Sequence, residues 1–410
     1  MSVLQKQQVQ TLLNEVADHV EKRLNDEELF VDIWIDQKKS DPSQMVSVTP
    51  KITSSDGKMT YTYWLEYFGI RPCVLRNGVV QYYLNPDDFT KKVDGNAVNL
   101  ASLPLGDDVM IEIPRIGIKS ESVNDLIHIR LTKKSDLPDY DYSAFSRDKW
   151  NDCDKIYVGT YKSYVTGGKM YSAINKQPTV SMTLAQYRDA AKARGAGYYD
   201  VTYAVDELIQ CLYCAIVRNM DSQTAIGQGV TGVSAAINTG GSEKYGMCME
   251  NATTTDKDNQ HHVKFLGIED MWGNVWQWED GIIKTERDSS GYSEILRAPY
   301  AAAMNSEGTG YKSVCKIYFP DYPNGDWQYN NRMNGITGAI FVGIGAGGSS
   351  STYYCDYRGV HNQRAIAALG GRWDDGYYTT KAGCFNMHFT DGYPYGGLTT
   401  SRLIYLHLAS

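Results

Sequence analysis

One short stretch constrains the fold of this chain more than any other, because it joins a tight turn to several bulky apolar groups. It reads Gly267-Ile-Glu-Asp-Met-Trp-Gly-Asn-Val-Trp-Gln-Trp278. Gly273 and Asn274 predict the tight turn, since both residue types adopt left-handed backbone conformations readily. The bulky residues that follow are expected to pack in a core beside this turn: Val275, Trp276 and Trp278.

Composition indicates a loop-rich protein with surfaces suited to recognition. The chain has 410 residues, which suggests two or three domains. It contains 31 Tyr and 38 Gly but only 21% charged residues, and tyrosine gives a large amphipathic contact at little entropic cost. The net charge of −8 without any Lys/Arg run argues against nucleic acid as a partner.

No targeting segment is apparent in the sequence. A run of about 18 apolar residues, as a transmembrane helix requires, does not occur. The N-terminus lacks the apolar core of a signal peptide. We therefore expect synthesis in a cytoplasm, no membrane insertion, and export by another route, such as on a virion released by lysis, if the protein acts outside the cell.

The eight cysteines do not form a recognisable disulfide or zinc pattern. They are scattered over the chain, and Cys211 and Cys214 form a lone C-x-x-C with no second ligand pair at zinc spacing. We predict that both are buried thiols of a helix.

The N-terminal third divides into two parts. Residues 1–26 predict a helix, since Val9, Leu13, Val16 and Val20 recur at helical spacing. This helix is a candidate for oligomerisation, and docking on its own domain is equally open. Residues 27–135 predict a small, mostly β domain for attachment or trimerisation. Its alternating stretches begin at Met45, Lys58, Val79, Val109 and Leu126, with turn signals between them that include Arg76-Asn-Gly78.

Residues 144–410 predict a second, larger unit after the polar boundary 133–142. Ile156–Tyr161 is typical of a strand. Thr183-Leu-Ala-Gln186 has the form of a capping box that opens a helix ending at Gly195. A second helix is expected over roughly 200–219. The rest is rich in Gly, Ser, Asn and Tyr, and Gly343–Ser351 is interpreted as a flexible loop.

The stretch 267–278 resembles the GL-D-x-x-GNV-x-EW core of the formylglycine-generating-enzyme branch of the C-type lectin-like fold. Gly370-Gly-Arg-Trp373 is similar to the RGGSW strand that follows it in that branch. The resemblance covers about 144–410. It implies an α+β protein whose C-terminal domain has two helices, a small twisted antiparallel sheet and long ordered loops, preceded by the N-terminal helix and the small β domain.

The C-terminal stretch 367–406 is similar to the ending of phage tail proteins and of the variable proteins of diversity-generating retroelements. The resemblance implies a fixed frame of Gly370, Gly371, Trp373, Ala382, Gly383, Phe385, Phe389, Arg402 and Leu403. It also implies a ligand-binding set composed of Trp373 and the residues interleaved with the frame: Asp374, Asp375, Tyr377, Tyr378, Thr379, Asn386, His388, Thr390, Asp391, Tyr393, Tyr395, Thr399 and Thr400.

The function implied is that of an adhesin rather than an enzyme. The chain resembles phage or prophage tail receptor-binding proteins, which hold a bacterial surface protein or glycan without chemistry. The partners implied are that ligand, other phage tail proteins and two further copies in a homotrimer. The location implied is the virion tail, and diversification by a retroelement is part of the resemblance.

Two other functions remain open. Formylglycine-generating oxidases carry two closely placed cysteines near the C-terminus and bind copper, whereas this chain has Cys355 in Tyr354-Cys-Asp-Tyr-Arg358 and the distant Cys384. That departure puts oxidase activity in doubt. The other alternative is a bacterial, non-phage variable surface protein.

No catalytic residue and no metal ligand is assigned, although two acidic regions are open to calcium. They are the stretch from Thr254 to Asn259 and the set Glu269, Asp270 and Glu279. A solvated acidic loop is the alternative. His261 and His262 are adjacent, so their rings cannot share one face of a strand or helix, and we expect both in a polar loop.

Overall fold

The computed structural model describes residues 30–49, 61–249, 252–319, 327–375, 382–390 and 398–407. The predicted helix over 1–26 lies outside these residues. The described chain is mixed α+β and mostly β, with several antiparallel sheets and one sheet that curls into a half-barrel. The α+β class expected from the sequence is therefore confirmed at this level.

Four helices occur in the described residues, and short 3₁₀ turns separate other elements. The helices are α1 (Tyr61–Phe68), α2 (Leu184–Lys192), α3 (Tyr203–Val217) and α4 (Ser222–Ala225). The 3₁₀ turns are Leu100–Ser102, Ser143–Phe145, Glu243–Tyr245 and Ala301–Ala303.

Strands make up most of the regular structure. The first twelve are β1 (Phe30–Asp36), β2 (Val46–Thr49), β3 (Arg71–Arg76), β4 (Val79–Asn85), β5 (Asp88–Lys92), β6 (Asp107–Pro114), β7 (Gly117–Val123), β8 (Leu126–Thr132), β9 (Lys155–Gly159), β10 (Tyr164–Thr166), β11 (Lys169–Tyr171) and β12 (Tyr198–Asp200). The others are β13 (Lys264–Phe265), β14 (Ile268–Glu269), β15 (Trp276–Lys284), β16 (Tyr292–Arg297), β17 (Lys312–Tyr318), β18 (Trp327–Met333), β19 (Gly343–Ala346), β20 (Tyr357–Val360), β21 (Ala365–Leu369), β22 (Met387–Thr390), β23 (Thr399–Thr400) and β24 (Leu403–Leu406).

Three large sheets organise these strands. A four-stranded sheet has the order β2-β1-β8-β7, and a seven-stranded sheet has the order β12-β24-β9-β6-β3-β4-β5. The largest has the order β17-β16-β15-β21-β22-β20-β18-β19, and β23 joins it by pairing with β15 in parallel. The small pairs β10-β11 and β13-β14 stand apart.

The expected boundary near 135–144 does not separate two hydrophobic cores. Strand β6 from the N-terminal part pairs with β9 from the C-terminal part, from Met110 opposite Gly159 to Pro114 opposite Lys155. One continuous cluster of buried apolar residues also runs from Val31 to Leu406. The sequence division at 144 therefore falls inside one sheet and one core.

The largest local error of sequence interpretation concerns the stretch that begins at Lys58. Its alternating pattern predicts a strand, whereas Tyr61–Phe68 forms α1. Trp64, Leu65 and Phe68 are its buried residues, and they share one face of a helix because their spacing is one, three and four residues. Packing of this face outweighs the alternation that the side chains also show.

Several other predictions are confirmed. The Asn77-Gly78 turn joins β3 to β4 with both φ angles positive, 50° and 78°. Thr183 caps α2 with the complete capping box. Cys211 and Cys214 are fully buried free thiols of α3. The glycine-rich loop prediction over 343–351 is wrong at its start, where Gly343–Ala346 is strand β19.

Candidate functional site

The turn of the 267–278 motif is built by hydrogen bonds from Asn274. Gly273 and Asn274 both have positive φ, 80° and 63°. The Asn274 side chain accepts from the Ile237 N–H at 3.0 Å and donates to the Ile237 carbonyl at 3.1 Å. Because Trp272 and Trp278 are fully buried beside the turn, the expected structural role of this motif is confirmed.

Arg402 ties this motif to the rest of the C-terminal frame. Its guanidinium is buried and donates to the carbonyls of Gly159 and Thr160 at 3.0 and 2.9 Å. It also donates to the Glu269 carbonyl at 2.8 Å and to Gln277 Oε1 at 2.9 Å. One side chain thus satisfies acceptors from three separate segments, which fits the frame role predicted for it.

A buried polar network lies beside Arg402. Gln277 Nε2 donates to Asp206 Oδ2 at 2.8 Å and to Glu279 Oε1 at 3.1 Å. Burial and the neighbouring Asp206 carboxylate raise the pKa of Glu279 well above its usual range, which favours its neutral form. Burial and the Arg402 charge lower the pKa of Lys162 to about 7. Both shifts reduce the charge that this part of the core has to hold.

A second buried cluster joins His262, Glu269 and Asp270, whose ligand atoms lie within 4.8 Å of one another. His262 Nδ1 donates to Asp270 Oδ2 at 2.8 Å, and Nε2 donates to the Asn238 carbonyl at 3.0 Å. Burial lowers the pKa of His262, but Asp270 and Glu269 raise it more, to about 10. The imidazolium therefore supplies a positive charge beside the two buried carboxyl groups.

These contacts bear on two expectations from the sequence, one about the adjacent histidines and one about a calcium site. His261 and His262 both lie in irregular chain with polar partners, as predicted, but only His261, which bonds Asp258 at 2.7 Å, is exposed, whereas His262 is buried. Glu279 belongs to the network around Gln277 rather than to the cluster of Glu269 and Asp270. The three carboxylates proposed together for calcium are thus divided between two clusters.

Strand β22 sorts the C-terminal residues into two faces. Met387 and Phe389 are buried in the apolar cluster on one side of the nine-stranded sheet. His388 and Thr390 alternate with them and so point to the other side. The same alternation places Asn386 with His388. Within β22, the frame residue Phe389 therefore lies on the opposite face from the candidate contact residues His388 and Thr390.

The face that carries His388 is a row of uncharged residues across five strands. His388 is paired with Ala368 of β21 and with Gly359 of β20. Ala368 is paired with Trp278 of β15, and Gly359 with Trp327 of β18. At one end Trp278 packs against α2 within a buried apolar cluster, whereas Trp327 at the other end is partly exposed.

Aromatic rings gather at the exposed end of this row. The Trp327 and His388 ring centroids are 4.5 Å apart, and those of His361 and His388 are 5.2 Å apart. Trp276 lies 5.8 Å from Trp327. The ring centroids of Tyr329 and Tyr357, beside this group, are 4.0 Å apart. We call the whole group the aromatic strip, and its members are Trp276, Trp327, Tyr329, Tyr357, His361 and His388.

Glycine at position 359 is what lets the His388 ring lie flat on the sheet. A Cβ at Gly359 would stand 2.5 Å from His388 Cδ2, closer than real atoms approach. Burial, and then repulsion from His361, lower the pKa of His388 to about 3. His388 is therefore uncharged at neutral pH, and the strip is an aromatic rather than a cationic surface.

Five described members of the predicted binding set lie outside the segment from Asn386 to Thr390. Trp373 is partly exposed beyond the end of β21, where its N–H donates to the Asn274 carbonyl at 2.9 Å. Arg372 donates to Asp374 at 3.0 Å through its side chain and to Asp375 at 2.8 Å through its backbone N–H. Thr399 and Thr400 are buried in β23 beside β15.

The predicted binding set divides into three groups: buried residues, partly exposed residues and residues outside the described chain. Six described members are buried, and a ligand outside the protein cannot contact their side chains in this conformation: Asp375, Asn386, His388, Thr390, Thr399 and Thr400. Trp373 and Asp374 are partly exposed. The other six lie outside the described residues: Tyr377, Tyr378, Thr379, Asp391, Tyr393 and Tyr395.

Sequence interpretation missed the partly exposed members of the strip. Trp327 and Tyr329 are two residues apart, as are Tyr357, Gly359 and His361. This spacing is the signal of one strand face. The resemblance could not reveal it, since the motifs that carry the resemblance lie at 267–278 and after 366.

The two cysteines considered for oxidase chemistry are buried thiols. Cys355 and Cys384 are 1% and 3% exposed. Burial raises the pKa of each thiol above its usual range, with nearby carboxylates adding to the effect at Cys355. The Cys384 backbone N–H donates to Ser222 Oγ at 3.0 Å, which fixes it in the core beside α4.

Comparison of the chain with known protein families and with curated proteins gives no match. Within the residues that the structure describes, no helix has both the length and the hydropathy needed to cross a bilayer.

Proposed function

We propose that the chain is a receptor-binding protein of a phage or prophage tail. In this proposal 144–410 is a C-type lectin-like domain of the formylglycine-generating-enzyme-like branch, and its C-terminal surface binds a bacterial surface ligand. The observation that carries the proposal is the burial of the C-terminal residues predicted to form the frame. The proposal also rests on the resemblance of two sequence motifs.

The frame has the burial that such a display needs. Ala382, Phe385, Phe389, Arg402 and Leu403 are all 3% exposed or less. The segment 376–381 lies outside the described residues, and the residues on either side of it, Asp375 and Ala382, are buried. The segment 391–397 begins after the buried Thr390 and ends before β23. We expect substitutions in these segments to leave the contacts among the described frame residues in place.

The predicted contact residues are suited to binding without chemistry. The two segments hold Tyr377, Tyr378, Tyr393 and Tyr395, and tyrosines provide anchors with few rotatable bonds. The aromatic strip adds Trp327 and His361 as partly exposed groups on the face of the largest sheet that carries His388. Assembly as a homotrimer on a tail would add avidity, so that weak single sites hold a cell.

The oxidase alternative gains no support from the cysteines. A thiol that binds copper or attacks oxygen has to ionise, and burial opposes ionisation of both Cys355 and Cys384. A bacterial variable surface protein would use the same binding surface. Gene neighbourhood separates it from the phage protein, since tail genes would accompany only the latter.

Binding of the labelled protein to a panel of bacterial strains tests the proposal. We expect selective binding to some strains, and its loss when Tyr377, Tyr378, Tyr393 and Tyr395 are all changed to Ala. The matched control changes Tyr292 and Tyr318, an exposed tyrosine pair at 5.1 Å on β16 and β17, to Ala. Unchanged binding by the fourfold variant would contradict the assignment of these tyrosines as contact residues. Absence of binding to every strain would contradict the receptor-binding function.

A further inference from the structure

Lys162 is a buried amine to which the binding of a ligand assigns no role. It lies in the loop between β9 and β10, and it is 1% exposed. Burial, and then the positive charge of Arg402, lower its pKa to about 7. At neutral pH about half of the molecules therefore carry Lys162 as an uncharged amine, which is the nucleophilic form of lysine.

The carboxamide of Gln277 lies against this amine. Lys162 Nζ is 3.5 Å from Gln277 Oε1, and both side chains are buried. Arg402 Nε donates to the same oxygen at 2.9 Å. A guanidinium N–H in this position polarises the carbonyl group and stabilises the negative charge that the oxygen gains when an amine attacks the carbon.

Two carboxyl groups lie on the nitrogen side of the same carboxamide. Gln277 Nε2 is 2.8 Å from Asp206 Oδ2 and 3.1 Å from Glu279 Oε1. A hydrogen bond also joins the two carboxyl groups, and burial raises the pKa of both. An amide nitrogen leaves only after it gains a proton, and a carboxylic acid held beside it is a suitable donor.

We propose that Lys162 and Gln277 form an isopeptide bond between their side chains, with Glu279 as the proton donor. The neutral amine attacks Gln277 Cδ, and the π electrons of the carbonyl group move to Oε1 beside Arg402. As the carbonyl group re-forms, the bond between Cδ and Nε2 breaks. Nε2 takes the Glu279 proton and leaves as ammonia, while the proton that Nζ loses restores the acid. The products are one secondary amide and one ammonia, so the balance needs no further reactant.

The arrangement replaces a slow reaction between separate molecules by a reaction within one folded chain, in which the amine and the carboxamide are held side by side. The bond would join two sheets, since Lys162 follows β9 of the seven-stranded sheet and Gln277 lies in β15 of the largest sheet. All eight cysteines are free thiols, so no disulfide provides such a link. A cross-link between residues 115 positions apart restricts the unfolded chain and stabilises the fold whether or not a ligand binds.

Mass spectrometry of the whole purified chain tests the inference. We expect the wild-type mass to lie below the mass calculated from the sequence by one ammonia. Trypsin does not cleave after an acylated lysine, so digestion should leave the bond after Lys162 intact and yield a branched peptide that also contains Gln277. A wild-type chain with the full calculated mass and no branched peptide overturns the inference.

Variants assign the loss of ammonia to this pair of residues. Lys162→Met should have its full calculated mass. The matched control is Lys264→Met, at another fully buried lysine whose pKa burial lowers to about 8, and it should still lose ammonia. Gln277→Glu should lose one water instead of one ammonia, because a hydroxyl group then leaves. This variant also keeps the test decisive if Lys162→Met does not fold.

The same measurements have two further outcomes that contradict the proposal. Cyclisation of an Asn-Gly pair such as Asn77-Gly78 also releases ammonia, so a loss that persists in Lys162→Met or in Gln277→Glu overturns the isopeptide bond. Glu279→Gln lacks the carboxylic acid and should leave most of the chain without the cross-link. A Glu279→Gln chain that is cross-linked as completely as wild type overturns the assignment of Glu279 as the proton donor.

Discussion

Two buried ionisable residues of the C-terminal region avoid an unpaired charge in different ways. His262 is a cation fixed between Asp270 and the Asn238 carbonyl. The pKa of Glu279 is raised by burial and by the Asp206 carboxylate, which favours the neutral acid. Both ways avoid an uncompensated buried charge, which would cost several kcal/mol. They also make stability depend on pH.

His262 gives the clearest pH prediction. Its pKa is about 10 in the folded protein and near 6.5 when unfolded, so its contribution is complete below pH 6.5 and is lost as pH rises through 10. We expect the free energy of unfolding to fall more steeply between pH 7 and 10 for wild type than for His262→Gln. Urea unfolding at several pH values measures both slopes. Parallel curves would show that His262 is not the group responsible.

At the level of elements, local signals in the sequence predicted turns and caps better than they predicted element type. The Asn77-Gly78 hairpin and the Thr183 cap need only a few adjacent residues, so both could be identified. The type of α1 could not, because the stretch carries two patterns at once: Tyr61 and Tyr63 alternate with polar residues as in a strand, whereas Trp64, Leu65 and Phe68 share one helical face. Only the surrounding core decides between these patterns.

The capping box of α2 provides a prediction at this scale. Thr183 Oγ1 accepts from the Gln186 N–H at 3.3 Å, and Gln186 Oε1 accepts from the Thr183 N–H at 2.8 Å. Replacing Thr183 with Ala should lower the free energy of unfolding by about 1 kcal/mol. Replacing it with Ser should cost less, since serine keeps the cap oxygen. Equal stability of all three proteins in urea would contradict this role.

The candidate site could be predicted in part for the same reason. The frame residues Phe385, Phe389 and Arg402 were recognised from the resemblance, and their burial confirms them as core. The resemblance could not show that Asn386, Thr390, Thr399 and Thr400 are buried, because their polarity alone favours exposure. Nor could it identify Trp327 or His361, since strands far apart in sequence bring them to His388.

At the scale of the whole molecule, the N-terminal and C-terminal parts are interlocked. Gln37 Oε1 accepts from the Met333 N–H at 2.7 Å and from the Tyr354 hydroxyl at 2.9 Å. Asp141 bonds Arg297 at 2.6 Å. These long-range pairs, with the β6–β9 pairing, could not be read from local sequence patterns.

Interlocking predicts that 144–410 does not fold independently. Removal of β6 would expose the edge of β9 and take Val109, Ile111 and Ile113 out of the common core. We expect the fragment to lack a cooperative thermal transition and to show weak near-ultraviolet circular dichroism, whereas the whole chain unfolds in one main transition. A fragment that melts cooperatively near the temperature of the whole chain would overturn this account of the core.

The most direct test of the central claim is a scan of every substitution from 370 to 407, scored first for folding and then, among folded variants, for binding to a bacterial strain. We predict that substitutions at Phe385, Phe389 and Arg402 abolish folding. Substitutions within 376–381 and 391–397 should preserve folding and change binding. The claim of a frame that displays a binding surface is contradicted if binding changes arise equally across 370–407, or if these two segments tolerate every substitution in both scores.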